Sequence, residues 1–288
     1  MTLNQAHLAA GLYVVATPMG SARDITLRAL DVLASVDVLV AEDTRVLKRL
    51  LELHGIALSG RPIWSYHDHS KASDRAKVVQ AIEAGKSVAY ASDAGTPLIA
   101  DPGYQLAKSV QDAGLAMTSL PGPSAVTNAL VLAGLPTNSF HFAGFLPPQG
   151  EARKTTLTAL RQIGTTLVIY ETPKRLAASL SAITEIFSPA QDMAICREMT
   201  KRFETISRGT VGDLIQDLPN MVLKGEIVLV IGPANLAMDS AQDVDQALVQ
   251  ALLTMRVKDA AHAVAGAMGL PKRDVYQRAL ALKQDSPD

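Results

Sequence analysis

Residues 87–103 read SVAYASDAGTPLIADPG, an apolar run followed at once by a polar stretch with glycine and proline. The first five residues are typical of a buried β-strand, and the rest is typical of a bent loop at its end. Ligands of open α/β sheets lie just beyond the carboxyl ends of strands, where glycine lets the backbone approach closely. The stretch therefore predicts an α/β fold with a small-molecule site at Asp93, Gly95 and Thr96.

A second loop of the same kind comes about thirty residues later. Residues 120–125 read LPGPSA, follow an apolar segment and lead into a helical run that ends near Leu132. We expect Ser124 and Ala125 to close the other side of the site. The chain has neither G-x-G-x-x-G after its first strand nor a P-loop, which disfavours a pyrophosphate ligand. The simpler alternative is that Asp93 only caps its own turn.

Apolar runs rich in β-formers alternate with helical periods along the chain. The first pairs are Gly11 to Ala16 with Thr26 to Ala34, and Val36 to Ala41 with Thr44 to His54. This alternation predicts βαβ units on a mainly parallel sheet. Proline and glycine between residues 136 and 152 predict the passage into a second α/β domain, and the composition changes again after Pro233. The predicted domains are an α/β domain over 1–136, a second over 137–234 and a helical extension over 235–288.

Composition sets broad limits on the function. The chain has 288 residues, 48% of them hydrophobic, which is enough for a full core. Its single cysteine, Cys196, excludes an internal disulfide, and no apolar stretch reaches the roughly 20 residues of a membrane helix. We therefore expect a cytoplasmic protein without a membrane partner. The net charge of −1 means that contacts to a nucleic acid would have to come from local patches.

Charged residues follow the end of the second predicted strand. The sequence there is Ala41-Glu42-Asp43-Thr44-Arg45. This cluster suits either phosphate binding by Arg45 or proton transfer by one of the two carboxylates. The alternative is that Asp43 caps the helix that follows. Earlier in the chain, the simpler alternative for the turn after the first strand is that Asp24 caps the helix that begins near Thr26.

Two more charged segments lie in the predicted second domain. In Tyr170-Glu171-Thr172-Pro173-Lys174-Arg175, Thr172 could simply cap a helix with proline in its first turn. That reading leaves Glu171 and Arg175 unexplained. The run from Cys196 to Glu204 either is a solvated charged turn or presents basic side chains to a polyanion. Those side chains are Arg197, Lys201 and Arg202.

The pair His67 and His69 is a weak signal for a metal site. Two histidines at i and i+2 have no third ligand at a recognisable spacing, so no metal ion is expected. A loop that faces the substrate, or an exposed turn, explains the pair better.

The C-terminal tail is locally basic. Residues 251–284 contain six basic residues against two acidic ones. Two helical runs between Lys258 and Leu282 are separated by Gly269-Leu270-Pro271, the spacing of a helix-turn-helix. The tail therefore predicts nucleic-acid contact, with a small helical packing domain as the alternative.

Together these motifs resemble the tetrapyrrole-methylase superfamily of S-adenosylmethionine enzymes. More narrowly, they resemble the bacterial small-subunit ribosomal RNA cytidine 2′-O-methyltransferases. The resemblance covers roughly residues 11–233 and also fits the helical extension. It rests on VVATPMG (14–20), DITLRAL (24–30), AEDTR (41–45), SDAGTPLIADPG (92–103), PGPSA (121–125) and YETPKR (170–175). Met19, Ser21 and Ser70 depart from the residues that are common in the family.

The resemblance implies two α/β domains with S-adenosylmethionine folded into the cleft between them, and a homodimer. It implies methylation of a cytidine ribose in 16S ribosomal RNA, in the assembled small subunit. The cofactor contacts carried over to this chain are Pro18, Asp93, Gly95, Thr96, Ser124, Ala125 and Tyr170. Since a 2′-hydroxyl is a poor nucleophile near neutral pH, a general base is expected.

The candidates for the general base are Glu42, Asp43, His67 and Glu171. The candidates for phosphate binding are Arg45, Arg175, Arg197, Lys201 and Arg202, because the backbone charge dominates RNA affinity. Two other functions stay open. One is a methyltransferase of the same fold that acts on a tetrapyrrole or another small molecule, and the other is a non-catalytic regulator that binds nucleic acid.

Overall fold

The computed structural model of the protein describes residues 4, 6–234, 236–268 and 271–284. Its first sheet has five parallel strands in the order β3-β2-β4-β1-β5. The strands are Gly11–Val15 (β1), Val38–Ala41 (β2), Ile63–Ser65 (β3), Ser87–Ala91 (β4) and Met117–Leu120 (β5). The helices between them are Leu27–Ser35 (α1), Thr44–Leu53 (α2), Ala72–Glu83 (α3) and Tyr104–Asp112 (α4). The predicted βαβ units and parallel sheet are confirmed.

Helices cover both faces of this sheet, which explains why its strands are apolar without alternation. Val15, Leu39 and Ala89 pack in one core with α1 and α2. Their neighbours along the strands, Val40 and Tyr90 among them, pack in a second core with α3 and α4. The carboxyl ends of the strands are left for the site.

The helix α1 is capped two residues later in the chain than Asp24. The hydroxyl of Thr26 accepts a hydrogen bond from the backbone N–H of Ala29 at 3.2 Å and so caps α1. The alternative in which Asp24 caps this helix is therefore wrong. Asp24 lies two residues before the cap, and its own N–H closes a turn on the carbonyl of Ser21.

The second sheet is mixed and has the order β6-β7-β10-β8-β9. Its strands are Phe140–Phe145 (β6), Thr166–Glu171 (β7), Asp192–Arg197 (β8), Thr205–Thr210 (β9) and Ile227–Ile231 (β10). Only β6 and β7 pair in parallel, and the other neighbours are antiparallel. The helices of this half are Ala125–Ala133 (α5), Gly150–Arg161 (α6), Pro173–Ile186 (α7) and Val211–Asp217 (α8), with a 3-10 turn at Leu218–Asn220.

The helix α5 joins the two sheets. It follows β5 of the first sheet, yet its buried residues Val126, Ala129 and Leu130 pack in one core with the second sheet. The described parts of residues 1–161 and 165–232 accordingly form one compact unit that contains both sheets. The domain limits after residues 136 and 234 stay predictions.

The C-terminal unit is helical, as predicted. It contains Leu236–Leu252 (α9), Val257–Met268 (α10) and Lys272–Gln284 (α11). Its core includes Val244, Leu248, Val264 and Val275. In the predicted turn between α10 and α11, Gly269 and Leu270 lie outside the described residues. Over the part of the chain that is described, no helix is both long and apolar enough to cross a membrane.

We predict that Gly103→Ala destabilises the first sheet more than Gly114→Ala does. Gly103 has φ +117°, and a Cβ there would lie 2.5 Å from Cε1 of Tyr90. We expect a loss of about 3 kcal/mol in the free energy of unfolding, from left-handed strain together with overpacking. Gly114 also has a positive φ, +67°, but nothing lies within 4 Å of its Cβ position. The control variant should therefore lose only about 1 kcal/mol.

The measurement is urea unfolding followed by the fluorescence of Trp64, the only tryptophan in the chain, which lies in β3. Equal losses for the two variants would contradict the close packing of Gly103 on Tyr90.

Candidate functional site

A cavity of about 340 Å³ lies between the strand ends of the first sheet and the strands β7 and β10 of the second. Its size is within the range of small-molecule sites, about 300–1,000 Å³. Six of the seven predicted cofactor contacts line it: Asp93, Gly95, Thr96, Ser124, Ala125 and Tyr170. The seventh, Pro18, lines a neighbouring groove instead, while Met19 lines the cavity.

Hydrogen bonds fix the two predicted loops against each other. The hydroxyl of Thr96 donates to the carbonyl of Pro123 at 2.8 Å. Thr17 and Gly95 exchange two backbone hydrogen bonds of 2.9 Å, and Gly95 has φ +77°. The PGP segment needs its glycine for space, because a Cβ on Gly122 would lie 2.8 Å from that of Ala16. The loops therefore form one wall of the cavity, which these hydrogen bonds hold in place.

Asp93 connects two strand ends. Its Oδ1 accepts a hydrogen bond from the backbone N–H of Asp43 at 2.9 Å, which ties the loop after β4 to the loop after β2. Burial raises the pKa of the Asp93 carboxyl. Its carboxylate thus binds the loop after a neighbouring strand, so the alternative that Asp93 only caps its own turn is wrong.

The cavity is acidic. Five carboxylate side chains line it, and the described residues of its lining include no lysine, arginine or histidine. The five are Glu42, Asp93, Asp101, Glu171 and Glu226. Glu171 is paired with Arg175 and Glu226 with Lys201, so the other three supply the negative charge that attracts a cationic ligand and repels phosphate.

As at Asp93, burial and neighbouring negative charges raise the pKa values of two more of these carboxyl groups. Burial, reinforced by the negative charges of Glu42 and Asp93, raises the pKa of Asp101 to about 7. Burial and the charge of Asp93 also raise the pKa of Glu42. Both groups can therefore exchange protons closer to neutral pH than ordinary carboxylates do.

The wall of the cavity that belongs to the second sheet is apolar. The ring of Tyr170 packs edge-on against Phe142 and Phe145, with centroids 4.8 and 5.6 Å away. Ile227 and Val228 line the cavity beside it. Burial raises the pKa of Tyr170 to about 12, so its hydroxyl stays protonated. This wall suits a flat aromatic ring.

The four candidate bases lie in different surroundings. Glu42 lines the cavity. Asp43 caps α2 by accepting from the N–H of Arg45 at 2.8 Å, so the predicted capping alternative is confirmed. The Arg45 guanidinium also binds its carboxylate and holds the pKa of Asp43 at about 2. His67 accepts a hydrogen bond from the N–H of His69 and does not line the cavity.

The carboxylate of Glu171, the fourth candidate, is bound by three other residues of the protein. Its buried carboxylate accepts hydrogen bonds from the N–H of Thr172 at 2.7 Å and from the hydroxyl of Ser179. Arg175 lies 3.5 Å from it and also donates to the carbonyl of Leu146. These contacts hold the start of α7 against the end of β7. Thr172 precedes α7 with Pro173 in the first turn, although its side chain makes no cap hydrogen bond.

The predicted phosphate-binding side chains are not gathered into one patch. Arg197 donates to the carbonyl of Phe203 and to the hydroxyl of Thr205, at 2.9 and 3.0 Å. Lys201 bridges Glu198 and Glu226, at 2.9 Å each. Two of the predicted phosphate-binding side chains are exposed. They are Arg45, which is paired with Asp43, and Arg202, which lies above the ring of Phe203.

Sequence reasoning missed two cavity carboxylates, Asp101 and Glu226. Asp101 lies inside the segment 92–103 that the sequence already singles out. Its position between proline-containing turns could have indicated that it belongs to the site. Glu226 has no local signal, because β10 brings it to the cavity by pairing with β7.

The site and fold define a class: an α/β protein with two sheets, a cation-attracting cavity at the strand ends and a helical C-terminal unit. Residues 11–215 match the family model described as Tetrapyrrole (Corrin/Porphyrin) Methylases, and residues 238–283 match that of the RsmI C-terminal HTH domain. The chain belongs to the tetrapyrrole methylase family. The resemblance and the fold class predicted from the sequence are thereby confirmed.

The chain is similar to curated relatives over nearly its whole length. It is 43% identical to a protein of Mesorhizobium japonicum, over 96% of this chain and 93% of the relative. It is 45% identical to one of Erythrobacter litoralis, over 96% of each. Both relatives are named ribosomal RNA small subunit methyltransferase I.

Solved structures support the fold alone. The uroporphyrin-III-C-methyltransferase of Thermus thermophilus is 22% identical with a TM-score of 0.54, over 77% of this chain and 94% of the other. The methyltransferase CobJ is 18% identical with a TM-score of 0.59, over 78% of this chain and 95% of the other.

We predict that Asp101→Asn stabilises the protein at alkaline pH. The carboxyl has a pKa of about 7 in the folded protein, against an ordinary value of 3.8. The folded state thus holds this proton more tightly, so the wild type loses stability as the pH rises from about 4 to 7. The asparagine variant avoids that loss, and its Tm at pH 8 should exceed that of the wild type.

The measurement is the Tm of both proteins between pH 5 and 8. Glu83→Gln, at an exposed position at the end of α3, is the control and should follow the wild type. A parallel pH dependence for Asp101→Asn and the wild type would contradict the burial of this carboxyl.

Proposed function

We propose that the protein is an S-adenosylmethionine-dependent methyltransferase that methylates the 2′-hydroxyl of a cytidine in 16S ribosomal RNA. The observation that carries the proposal is the similarity, over nearly the whole chain, to relatives named ribosomal RNA small subunit methyltransferase I. The match of the C-terminal unit to the RsmI HTH domain supports an RNA substrate. Neither of the two curated relatives is named for a small-molecule substrate.

The cavity residues fit S-adenosylmethionine. This cofactor carries a sulfonium, an ammonium and one carboxylate group and so has a net positive charge, and the described lining of the cavity has five carboxylates and no basic side chain. Asp93 and Asp101 would attract the cationic groups, while Tyr170 and Ile227 would pack against the adenine ring. When bound, the cofactor supplies an electrophilic methyl group.

Glu42 is the candidate base that the geometry favours. It lines the cavity and has a raised pKa, so it accepts a proton more readily than an exposed carboxylate. Asp43 is held at a pKa of about 2 by Arg45 and is a weak base. Since Glu171 is occupied by Ser179, Thr172 and Arg175, Glu42 would take the proton from the ribose hydroxyl.

The protein would act as a homodimer on the assembled small subunit in the cytoplasm. Exposed apolar side chains support a surface for a second copy. Met117 lies on the edge strand β5, Phe140 lies on the edge strand β6, and Val131 on α5 is 79% exposed. Unpaired strand edges with apolar side chains are a common site of association.

Methyl transfer to purified small ribosomal subunits tests the proposal. Subunits from a strain without the endogenous enzyme are incubated with the protein and labelled S-adenosylmethionine, and the RNA is digested to nucleosides. We expect label in 2′-O-methylcytidine. Label in another nucleoside, or none with active subunits, would refute the proposed substrate. If the protein were instead a regulator without catalysis, calorimetry would show no binding of S-adenosylmethionine.

We predict that Glu42→Gln lowers kcat while cofactor binding stays nearly unchanged. Loss of a general base should reduce kcat by about 10²–10⁴-fold. The Kd for S-adenosylmethionine, from calorimetry, should change only a few-fold because the glutamine has the same shape. Glu83→Gln is again the control. A kcat within a few-fold of wild type would remove Glu42 as the base.

A further inference from the structure

A second cavity, of about 480 Å³, lies on the other side of Asp93. It is formed by the segment from Thr17 to Ala22 and by the exposed face of α2, and we call it the α2 groove. Asp93 lines both the groove and the acidic cavity. Glu42 lines the cavity and its neighbour Asp43 lines the groove. The two spaces therefore meet at Asp93.

The α2 face of the groove combines apolar and cationic side chains. Val46, Leu50 and Leu53 form a stripe at i, i+4 and i+7, in which Val46 is 41% exposed and Leu53 is 54% exposed. Arg45 and Arg49 stand beside the stripe, one turn apart. A nucleotide offers matching chemistry, because its base has a flat apolar face and its phosphates are anionic.

Both arginines can exchange their present carboxylate partners for a phosphate. Arg45 is paired with Asp43, and Arg49 with Glu52, at 2.5 and 3.3 Å. Both guanidinium groups are largely exposed. Exposed ion pairs contribute little free energy, so an RNA phosphate can replace the carboxylate at small cost.

The opposite wall of the groove is held in place by both sheets. Thr17 pairs with Gly95, and Nε2 of His54 lies 2.8 Å from the carbonyl oxygen of Ala22. Gly20 packs on the turn of the second sheet that holds Lys201, since a Cβ on Gly20 would lie 2.8 Å from the carbonyl oxygen of Thr200. The groove is thus formed before any ligand arrives, which lowers the entropy cost of binding.

We propose that the α2 groove holds the acceptor nucleotide of the RNA, with Arg45 and Arg49 on the phosphates that flank it. The inference rests on the proposed function and names the acceptor site for it. The base lies on the stripe of α2, and the ribose lies at Asp93, where the groove meets the cavity that Glu42 lines. The exposed Arg202 and Phe203 follow the turn that touches Gly20, and they extend the surface for neighbouring nucleotides.

The first experiment measures the Kd of small ribosomal subunits by filter binding, with S-adenosylhomocysteine present. Arg45→Ala and Arg49→Ala should each weaken binding roughly ten-fold, because each removes a charge-assisted hydrogen bond. The double variant should also lower the salt slope of log Kd by about 2, one unit for each lost phosphate contact. The Kd for S-adenosylmethionine should not change.

Lys48→Ala is the matched control. Lys48 is an exposed cation on the same helix but does not line the groove. If its removal weakens binding as much as loss of Arg49, the effect is one of general charge and the proposal is wrong. A wild-type Kd for the double variant would also overturn it. If the wild-type protein methylates no cytidine in subunits, it is the proposed function that fails.

The second experiment identifies what touches the groove. Cys196 is the only cysteine, is 1% exposed, and burial raises the pKa of its thiol to about 11. Arg49→Cys can therefore be labelled selectively with a benzophenone maleimide and irradiated on the subunit. Crosslinks to 16S RNA near the methylated cytidine are expected. Crosslinks only to a ribosomal protein, or the same RNA crosslinks from Lys48→Cys, would overturn the proposal.

Discussion

The hydrogen bond from the N–H of Asp43 to the carboxylate of Asp93 determines how the strand ends are arranged. It joins the loops after β2 and β4, which are adjacent in the first sheet. With both loops fixed, Glu42 lines one space and Asp43 the other. One carboxylate thus lies where an acidic cavity, suited to a cationic cofactor, meets a groove with two arginines. This contact fixes the place at which the two ligands of a transfer reaction would meet.

Local sequence predicted the parts of the site that local rules determine. A buried strand followed by a bent loop is visible in residues 87–103, and the cavity includes the three residues that we predicted from that loop. The alternation of strands and helices likewise predicted the parallel sheet. Glu226 could not be predicted, because strand pairing across more than fifty residues brings it to the cavity beside Tyr170. Asp24 failed as a cap because a competing side chain, Thr26, lies nearer the helix.

Counting charged residues along the chain overestimates the number of cationic side chains that are available to bind RNA. Arg197 and Lys201 belong to a run that reads as basic, but both are bound to groups within the protein. In the C-terminal unit, Arg278 pairs with Asp245 at 2.5 Å, an acidic residue outside the stretch 251–284 that was counted as basic. Carboxylates neutralise Lys201 and Arg278, and neutral oxygen atoms hold the guanidinium of Arg197. Only the folded structure distinguishes a cation that braces the fold from one that faces solvent.

The position of α5 limits how the gene of such a protein can be divided. The helix is encoded with the first sheet but covers the second, where it packs over Ala194 and Val228. A fragment that ended at residue 136 would contain α5. The second sheet would then lack this helix, and its apolar face would be open to water. The two halves therefore cannot be exchanged between relatives at that point as independent modules. They have to be inherited together, as a single folding unit.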